Sequence, residues 1–523
     1  MCAMTTINEL RPRTSAITFR ELVRDLDVHQ WVNEDKANCP VTGVTVSSSD
    51  IDAGWVFVAI PGYSHHGAEF AAGALEAGAA GVITDEKGAR ILRDSGASVP
   101  IAVVDDPRQA AAFVSARVVG NPDQSLTTAA VTGTNGKTTT TYLVSAALGA
   151  IHDVPALCGT VETRIGDMTI LATRTTNEAP VLHRFLACAQ QQGADNAVIE
   201  VSSHALSLNR VDGIVFDVAI FTNLQHDHLD FYHDMEHYFQ AKASLFTPEH
   251  ALRGIVCVDD EWGQRLAREA TIPITTVAAL SSQQADWHVS DIHPDPQTAQ
   301  TVFSLTDPAG HTHQVHSPVL GEVNVQNCAV AIAAATAVGA DSDQAVTALE
   351  RAPQVPGRME RINPDCDDQP LVIVDYAHTP EALEWILKDA RELAGGRVVL
   401  VFGTDGDRDA SKRIPLAEVA ARHADVLWVT DENPRTEDAA AIRAELMEGI
   451  RNVRPDLTNV TEVTTCRRDA VRCAIQDASA NDIVLITGKG AEWYQEIDHV
   501  YHRYNDVPVA REVLEYSEPR KRG

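Results

Sequence analysis

Long hydrophobic segments are missing from this chain of 523 residues. No uninterrupted apolar run reaches the ~20 residues that a membrane-spanning helix needs, so we expect no membrane span. The N-terminal stretch MCAMTTINELRPRTS has no apolar core after a basic patch, which argues against a secretory signal. We therefore expect a cytoplasmic protein.

Cysteine pairs at metal-binding spacing are also missing. The nine cysteines are scattered, with no CxxC or CxH pattern. This distribution favours reduced thiols over a disulfide framework or a zinc site.

Basic residues are scarce, since 42 Lys and Arg stand against 73 Asp and Glu, for a formal net charge of −31. Binding a nucleic-acid backbone requires clustered Lys and Arg, so we expect no nucleic-acid partner. Small anionic ligands need only a few local donors and stay possible.

Short apolar runs alternate with Ala- and Leu-rich helical stretches along the chain. Fully apolar strands between helices are typical of buried, mostly parallel sheets, so we predict an α/β fold. The runs that carry this prediction are GVIT (81–84), IAVV (101–104), AVIEV (197–201), VAIFT (218–222), LVIVD (371–375), VVLVF (398–402) and DIVLIT (482–487).

Two segments suggest domain boundaries. VVGNPDQSLT (118–127) has the composition of a linker before a strand, and RAPQVPGRMERINPD (351–365) is rich in Pro and Arg. A chain of this length needs more than one core. We predict three domains, at residues 1–124, 125–356 and 357–523.

The segment LTTAAVTGTNGKTTTTYLVSAAL (126–148) predicts a strand, a glycine-containing loop and a helix. In such a loop, backbone N–H groups cradle phosphates, a lysine neutralises their charge and a hydroxyl binds Mg²⁺. We therefore predict an ATP site with Mg²⁺. Its residues are Gly133, Thr134, Asn135, Gly136, Lys137, Thr138 and Thr139.

A second group of polar residues follows two predicted strands. Glu200 ends the strand AVIEV, and the His- and Asp-rich stretch FTNLQHDHLDFYHDMEHYF (221–239) follows the next one. A Glu and a His at the ends of neighbouring parallel strands can meet around a hard cation, although scattered histidines are more often part of a polar loop. In YFQAKASLF (238–246), Lys242 taken alone is an ordinary lysine on a helical face.

Taken together, the motifs resemble those of the Mur ligases. GTNGKTT, EVSSHAL, FTNLQHDHLD, YFQAKASLF, VPGRME, VDYAHTP, FGTDGDRD, NPR and GKGAE occur in that family's order, over roughly residues 40 to 515. The resemblance implies a UDP-sugar-binding domain, a central ATP-binding domain and a C-terminal Rossmann-like domain for the incoming amino acid. It also implies ATP-dependent amide formation through an acyl phosphate, in the synthesis of the peptidoglycan precursor for the cell wall.

The resemblance implies roles for single residues. It makes Lys137, Glu200, His228 and Lys242 catalytic, with Thr138, Glu200, His228 and Lys242 (as a carbamate) around Mg²⁺. It adds Asn327, Arg358, Asp375 and His378 to the ATP site. For the substrate UDP-N-acetylmuramoyl-L-alanyl-D-glutamate it implies contacts from Val46, Ser48, Tyr63, Ser64, His65, Thr175, Thr176, Ser202 and Arg210.

The segment Glu432-Asn433-Pro434-Arg435 matches the loop that selects the amino acid. In relatives that select meso-diaminopimelate, the loop arginine pairs with the carboxylate on the distal amino-acid centre, which lysine lacks. The resemblance therefore implies a diaminopimelate site, completed by Arg408, Gly488 and Glu492. Three residues depart from the family's pattern at this site: Glu432 replaces Asp, Asp405 replaces Gly and Ala491 replaces His.

Three alternatives remain open. The first is the same reaction with L-lysine or another diamino acid, and the second is a folate polyglutamylating ligase, which the NPR and GDRD segments disfavour. The third is a non-catalytic ATP-binding paralogue, which the intact Lys137, Glu200, His228 and Lys242 disfavour. We expect a monomer.

Overall fold

The structure is a computed structural model that describes residues 6–62, 64–172, 174–227, 229–294, 300–363 and 368–516. Strands and helices alternate along it, and the predicted α/β class is confirmed. The chain divides into two compact units. One comprises Met1–Asp291, Phe303–Val315 and Gln326–Ala352, and the other Ile292–Val302, His316–Val325 and Pro353–Gly523.

The N-terminal part of the first unit carries a five-stranded sheet in the order β2-β7-β6-β5-β4. Strands β4 to β7 run parallel and β2 is antiparallel at the edge. The elements are β1 (Ile17–Thr18), α1 (Phe19–Leu22), β2 (Gln30–Val32), β3 (Pro40–Val41), β4 (Gly43–Thr45), β5 (Trp55–Ala59), α2 (Ala71–Glu76), β6 (Gly81–Thr84), α3 (Glu86–Asp94), β7 (Ile101–Val103) and α4 (Pro107–Val118).

A larger sheet follows, in the order β11-β10-β9-β12-β8-β13-β14-β15-β16-β17-β18. Within this sheet, neighbouring strands run parallel along the series β9, β12, β8, β13, β14, β15 and β16. Its strands are β8 (Thr127–Thr132), β9 (Pro155–Cys158), β10 (Glu162–Ile165), β11 (Met168–Leu171), β12 (Asn196–Glu200), β13 (Val218–Phe221), β14 (Gly254–Cys257), β15 (Ile274–Ala278), β16 (Trp287–Pro294), β17 (Thr301–Thr306) and β18 (Thr312–His316). The helices are α5 (Lys137–Ala147), α6 (Ala179–Gln191), α7 (Ser203–Ser207), α8 (Leu229–Tyr232), α9 (Met235–Ala243), α10 (Glu261–Glu269), α11 (Glu322–Ala337) and α12 (Ser342–Glu350).

The second unit carries a six-stranded sheet in the order β19-β20-β24-β21-β22-β23, with β19 antiparallel at the edge, and a separate hairpin of β25 and β26. The strands are β19 (Glu360–Arg361), β20 (Leu371–Val374), β21 (Val398–Phe402), β22 (Val426–Val429), β23 (Val460–Glu462), β24 (Ile483–Ile486), β25 (Tyr494–Ile497) and β26 (Val500–Arg503). The helices are α13 (Pro380–Leu393), α14 (Arg413–His423), α15 (Ala439–Val453), α16 (Arg467–Asp477) and α17 (Asp506–Tyr516).

All seven apolar runs form strands, and six of these strands are buried along their whole length: β6, β7, β12, β13, β21 and β24. Helices cover both faces of a parallel sheet, so its strands have no polar face to alternate with. This is why uninterrupted Val and Ile runs predict these strands well. The predicted division into three domains stays a prediction.

None of the helices in the described part of the chain has the length and apolarity needed to cross a membrane.

Candidate active site

The phosphate loop lies in the middle of the larger sheet. Strand β8 pairs with β12 on one side and β13 on the other, and the loop leads from its carboxyl end into α5. Gly133 and Gly136 have φ of +149° and +82°, where side chains are disfavoured. A Cβ on Gly133 would lie 1.9 Å from Thr222 Oγ1, and one on Gly136 would lie 2.6 Å from Asn327 Oδ1. The two glycines are therefore required by the geometry of the loop.

Two lysines converge on this loop. Lys137 Nζ donates to the carbonyl oxygens of Gly133 (3.1 Å) and Thr134 (2.9 Å), and Lys242 Nζ donates to the same Gly133 oxygen at 2.8 Å. Lys242 is buried. Burial and then repulsion from Lys137 lower the pKa of Lys242 well below its ordinary value. A neutral amine is the form that reacts with CO₂ to give a carbamate.

Glu200, at the end of β12, is fully buried and holds the neighbouring hydroxyls. Its Oε2 accepts from Thr138 Oγ1 (3.2 Å) and Thr160 Oγ1 (2.9 Å), and its Oε1 accepts from the Thr160 backbone N–H (3.0 Å). A Cβ at Gly159 would lie 2.2 Å from Oε1, so this glycine makes room for the carboxylate. The Glu200 carboxylate and the Thr138 hydroxyl, both predicted to belong to the cation site, are thus in hydrogen-bond contact.

The donors around Glu200 fit a hard divalent cation. Mg²⁺ in nucleotide sites is held by one or two carboxylates and a hydroxyl, with phosphate and water oxygens completing its shell. No three Asp, Glu, His or Cys side chains in the described part of the chain form a metal cluster. His228, the predicted third ligand, lies outside the described residues.

The residues predicted to hold the peptide end of the substrate lie beside Glu200. Thr175 Oγ1 accepts from Thr160 Oγ1 at 3.0 Å, and Thr176 Oγ1 donates to the Glu200 carbonyl oxygen at 2.8 Å. The Ser202 backbone N–H donates to Thr176 Oγ1 at 3.1 Å, and Arg210 Nη1 donates to the Thr176 carbonyl oxygen, also at 3.1 Å. Through Thr160 and Glu200, these residues are therefore connected by hydrogen bonds to the phosphate site.

The residues predicted to contact the UDP-sugar are only partly brought together. Val46 lies in the lining of a small cavity with Arg108, Glu178 and Arg210. Ser48 is half-buried, whereas Ser64 and His65 are exposed, and Tyr63 lies outside the described residues. His65 Nδ1 lies 3.1 Å from Glu69 Oε2.

Of the other predicted ATP contacts, Asn327 is buried behind the loop, where its Oδ1 accepts from Thr140 Oγ1 at 3.0 Å. Three more belong to the second unit and lie close together. The Arg358 guanidinium stacks over the Tyr376 ring, 4.3 Å from its centroid, and Asp375 accepts from the Met359 and Ala377 N–H groups at 2.7 Å each. His378 Nδ1 lies 2.8 Å from the Tyr376 carbonyl oxygen.

The predicted amino-acid pocket is a connected polar network. Asn433 Nδ2 donates to Asp405 Oδ1 (2.9 Å) and Glu492 Oε2 (3.1 Å), and its Oδ1 accepts from Lys489 Nζ (2.9 Å). Lys489 Nζ also donates to Glu492 Oε2 at 2.8 Å, with no side-chain exposure. Arg435 Nη2 donates to Asp405 Oδ2 at 3.2 Å. Arg408, by contrast, is exposed.

Glu432 is buried in the same pocket, against Gly488. A Cβ on Gly488, which has a φ of +105°, would lie 2.4 Å from Glu432 Oε2, and this oxygen has no hydrogen-bond partner. Burial and then the charge of Asp405 raise the pKa of Glu432 to about 8. The carboxyl is therefore mostly protonated at neutral pH.

Sequence reasoning missed three residues that the fold brings to these sites: Thr160, Lys489 and Glu496. Lys489 stands inside the GKGAE motif, so the motif itself was a signal. Thr160 and Glu496 belong to no quoted motif and reach their places only through the tertiary structure.

A phosphate loop at the carboxyl edge of a parallel sheet, beside a buried glutamate and hydroxyls, is the arrangement of a nucleotide-dependent enzyme. Three family profiles narrow this class. The Mur ligase family catalytic domain matches residues 40–126, the Mur ligase middle domain residues 131–335, and the Mur ligase glutamate ligase domain residues 357–490.

Similarity to individual proteins indicates the same family as the profiles do. The chain is 45% identical over 471 residues to UDP-N-acetylmuramyl-tripeptide synthetase of Leifsonia xyli subsp. xyli, covering 89% of this chain and 90% of that protein. It is 40% identical over 503 residues to UDP-N-acetylmuramoyl-L-alanyl-D-glutamate–2,6-diaminopimelate ligase of Streptomyces coelicolor, covering 96% and 97%. A solved structure of a ligase of that second name matches with a TM-score of 0.68 and 31% identity, over 96% of this chain and 99% of the other.

The chain belongs to the Mur ligase family. The predicted family resemblance and the predicted ATP-dependent ligase activity are confirmed. The roles of the individual site residues stay predictions.

Proposed function

We propose that this ligase uses ATP to join meso-diaminopimelate to UDP-N-acetylmuramoyl-L-alanyl-D-glutamate, a step in the synthesis of the peptidoglycan precursor. The single observation that carries the proposal is the pocket around Arg435, which combines a half-buried guanidinium with the buried carboxyl group of Glu432 and the half-buried carboxyl group of Glu492. A free diamino acid with a distal carboxylate needs partners of both signs, and this pocket supplies them.

The activation step belongs to the phosphate loop. A carboxylate oxygen of the glutamyl substrate attacks the γ-phosphorus of ATP, and ADP leaves. Both reactants are anionic, so Lys137 and the N–H groups at the start of α5 would neutralise the phosphates as they approach. The group formed by Thr175, Thr176 and Arg210 would hold the peptide end of the substrate next to Glu200.

The second step forms the amide. The amine nitrogen attacks the acyl carbon of the acyl phosphate, the tetrahedral intermediate loses phosphate, and the nitrogen loses a proton. Mg²⁺, when bound by Glu200 and Thr138, would spread the negative charge of the phosphates. We further propose that Lys242 carries a carbamate, which converts its buried amine into an anion on the same side of the loop.

We also propose a monomer that works in the cytoplasm. ATP is supplied there, and the cysteines described by the structure are all free thiols, which fits a reducing compartment.

The test is a product assay on purified protein with Mg²⁺, ATP and UDP-N-acetylmuramoyl-L-alanyl-D-glutamate. Adding meso-diaminopimelate should give a product of tripeptide mass with one ADP released per amide formed. Lys137→Ala should lower kcat by at least about 100-fold, because the phosphate charge loses its partner. ATP binding without product, for any diamino acid tried, would overturn the proposal in favour of a non-catalytic paralogue.

A further inference from the structure

Arg435, the residue expected to receive the distal carboxylate of diaminopimelate, is already paired with protein carboxylates. Its Nη2 donates to Asp405 Oδ2 at 3.2 Å, and its Nε lies 3.3 Å from Glu496 Oε2 without hydrogen-bond geometry. The side chains of Arg435, Asp405 and Glu496 are exposed by only 16%, 20% and 15%. Water therefore screens these pairs weakly, and a substrate carboxylate has to compete with them.

Asp405 is held in this position by the fold. Its second oxygen accepts from Asn433 Nδ2 at 2.9 Å, and Asn433 is buried within the lysine network. The adjacent Gly406 donates its N–H to the Asn433 carbonyl oxygen at 2.9 Å, and a Cβ on Gly406 would lie 2.0 Å from the Pro434 carbonyl oxygen. The Asp405 loop and the Arg435 loop are thus packed directly on each other.

The pocket also contains more acids than bases. Among the described residues that are paired within this network, the carboxyl groups of Asp405, Glu432, Glu492 and Glu496 stand against two cations, Arg435 and Lys489. The nearby buried Arg467 does not change this balance, because its charge is matched by Asp506 at 2.8 Å.

A cation is therefore the group that this pocket lacks. The distal end of diaminopimelate brings an ammonium and a carboxylate, with no net charge. A side chain that ends in an ammonium alone brings one positive charge and needs no free arginine. An unpartnered oxygen of Glu432 and the carboxylate of Glu492 are available to accept from it.

We propose that Asp405 takes the place of the substrate's distal carboxylate as the partner of Arg435, so that the pocket also accepts a diamino acid without that carboxylate, such as L-lysine. The proposal rests on the proposed ligase function. In this arrangement Asp405 is a specificity-determining residue, because it lowers the advantage that Arg435 gives to diaminopimelate.

The test compares kcat/KM for meso-diaminopimelate and L-lysine in the wild type and in Asp405→Asn. Asparagine keeps an oxygen for Asn433 and removes the charge. We expect the wild type to use L-lysine within about tenfold of diaminopimelate, and Asp405→Asn to shift the ratio toward diaminopimelate by about tenfold or more. The control is Asp407→Asn. Asp407 lies on the same loop as Asp405 but bonds to Thr436 and does not contact Arg435, so this variant should shift the ratio by less than about twofold.

A second variant covers the case in which Asp405→Asn does not fold. Arg435→Gln should lower the use of diaminopimelate by about tenfold or more and leave the use of L-lysine within about threefold of the wild type. Wild-type rejection of L-lysine, or an unchanged ratio in a folded Asp405→Asn, would overturn the role of Asp405 and leave the ligase function intact. Absence of product with both amino acids would overturn the ligase function itself.

Discussion

At the scale of single residues, two buried glutamates are in opposite settings. Glu200 accepts hydrogen bonds from three donors, so its charge is compensated within the fold. Glu432 has an oxygen without a partner and lies among other acids. The first setting suits a ligand for a cation, and the second suits a carboxyl that ionises when a cationic substrate enters.

Glu432 should make the stability of the protein depend on pH. Its pKa is about 8 in the folded protein and near the ordinary 4.5 in the unfolded chain, so between these values the folded state holds the proton more tightly. The free energy of unfolding therefore falls as pH rises through this interval. Glu432→Gln should reduce that fall by roughly 1 to 3 kcal/mol between about pH 6 and about pH 9.

Urea denaturation of both proteins at the two pH values measures this difference. Glu448→Gln, an exposed glutamate on α15, serves as the control and should follow the wild type. Parallel pH profiles for the wild type and Glu432→Gln would contradict the raised pKa.

Lys242 should be replaceable by a small anion if it acts as a carbamate. Lys242→Ala should lower kcat by at least about 100-fold, since a ligand near the phosphate loop is lost. Acetate or formate should restore part of the activity by occupying the space of the carbamate. Lys137→Ala is the matched control, because its lost positive charge cannot be supplied by a carboxylate. Equal rescue of both variants, or of neither, would argue against the carbamate.

At the scale of elements, the decisive feature is the turn from β8 into α5. The turn is built on two glycines with positive φ, so that the N-terminus of α5 and Lys137 face the same space. Any side chain at Gly136 would collide with Asn327, which also anchors Thr140 of the helix.

Gly136→Ala should therefore weaken ATP binding by about tenfold or more and destabilise the fold by roughly 1 to 3 kcal/mol, because the φ of +82° is strained for alanine. Gly149→Ala, just after α5, is the matched control. A Cβ there meets nothing within 4 Å, so ATP affinity should not change. Calorimetric titration with ATP measures both, and equal affinities would show that the loop tolerates a side chain.

At the scale of the whole molecule, the chain forms two compact units. The phosphate loop, Glu200 and Lys242 belong to the first unit, whereas the Arg435 pocket belongs to the second, which has its own apolar core around Val372, Val399 and Val484. Units with separate cores often unfold separately.

We therefore expect two thermal transitions. A non-hydrolysable ATP analogue should raise the transition of the first unit in proportion to its binding free energy. The shift follows from scanning calorimetry, with hydrogen exchange of α5 and α15 to assign each transition. A single transition that moves as a whole would show that the units unfold together.

Local sequence was sufficient for much of the molecule. Buried parallel strands are continuous apolar runs, and the phosphate loop is a contiguous strand, glycine turn and helix, so both can be predicted from neighbouring residues. The contacts of Arg435 were decided only by the tertiary structure. Asp405 and Glu496 are distant from it in the chain, and only the packing of the Asp405 loop and of the β25–β26 hairpin against the Arg435 loop brings their carboxylates to the guanidinium. The sequence motif predicts an arginine in this pocket, but it does not predict which carboxylate pairs with that arginine. Ion pairing depends on distance in space and on burial, which only the tertiary structure determines.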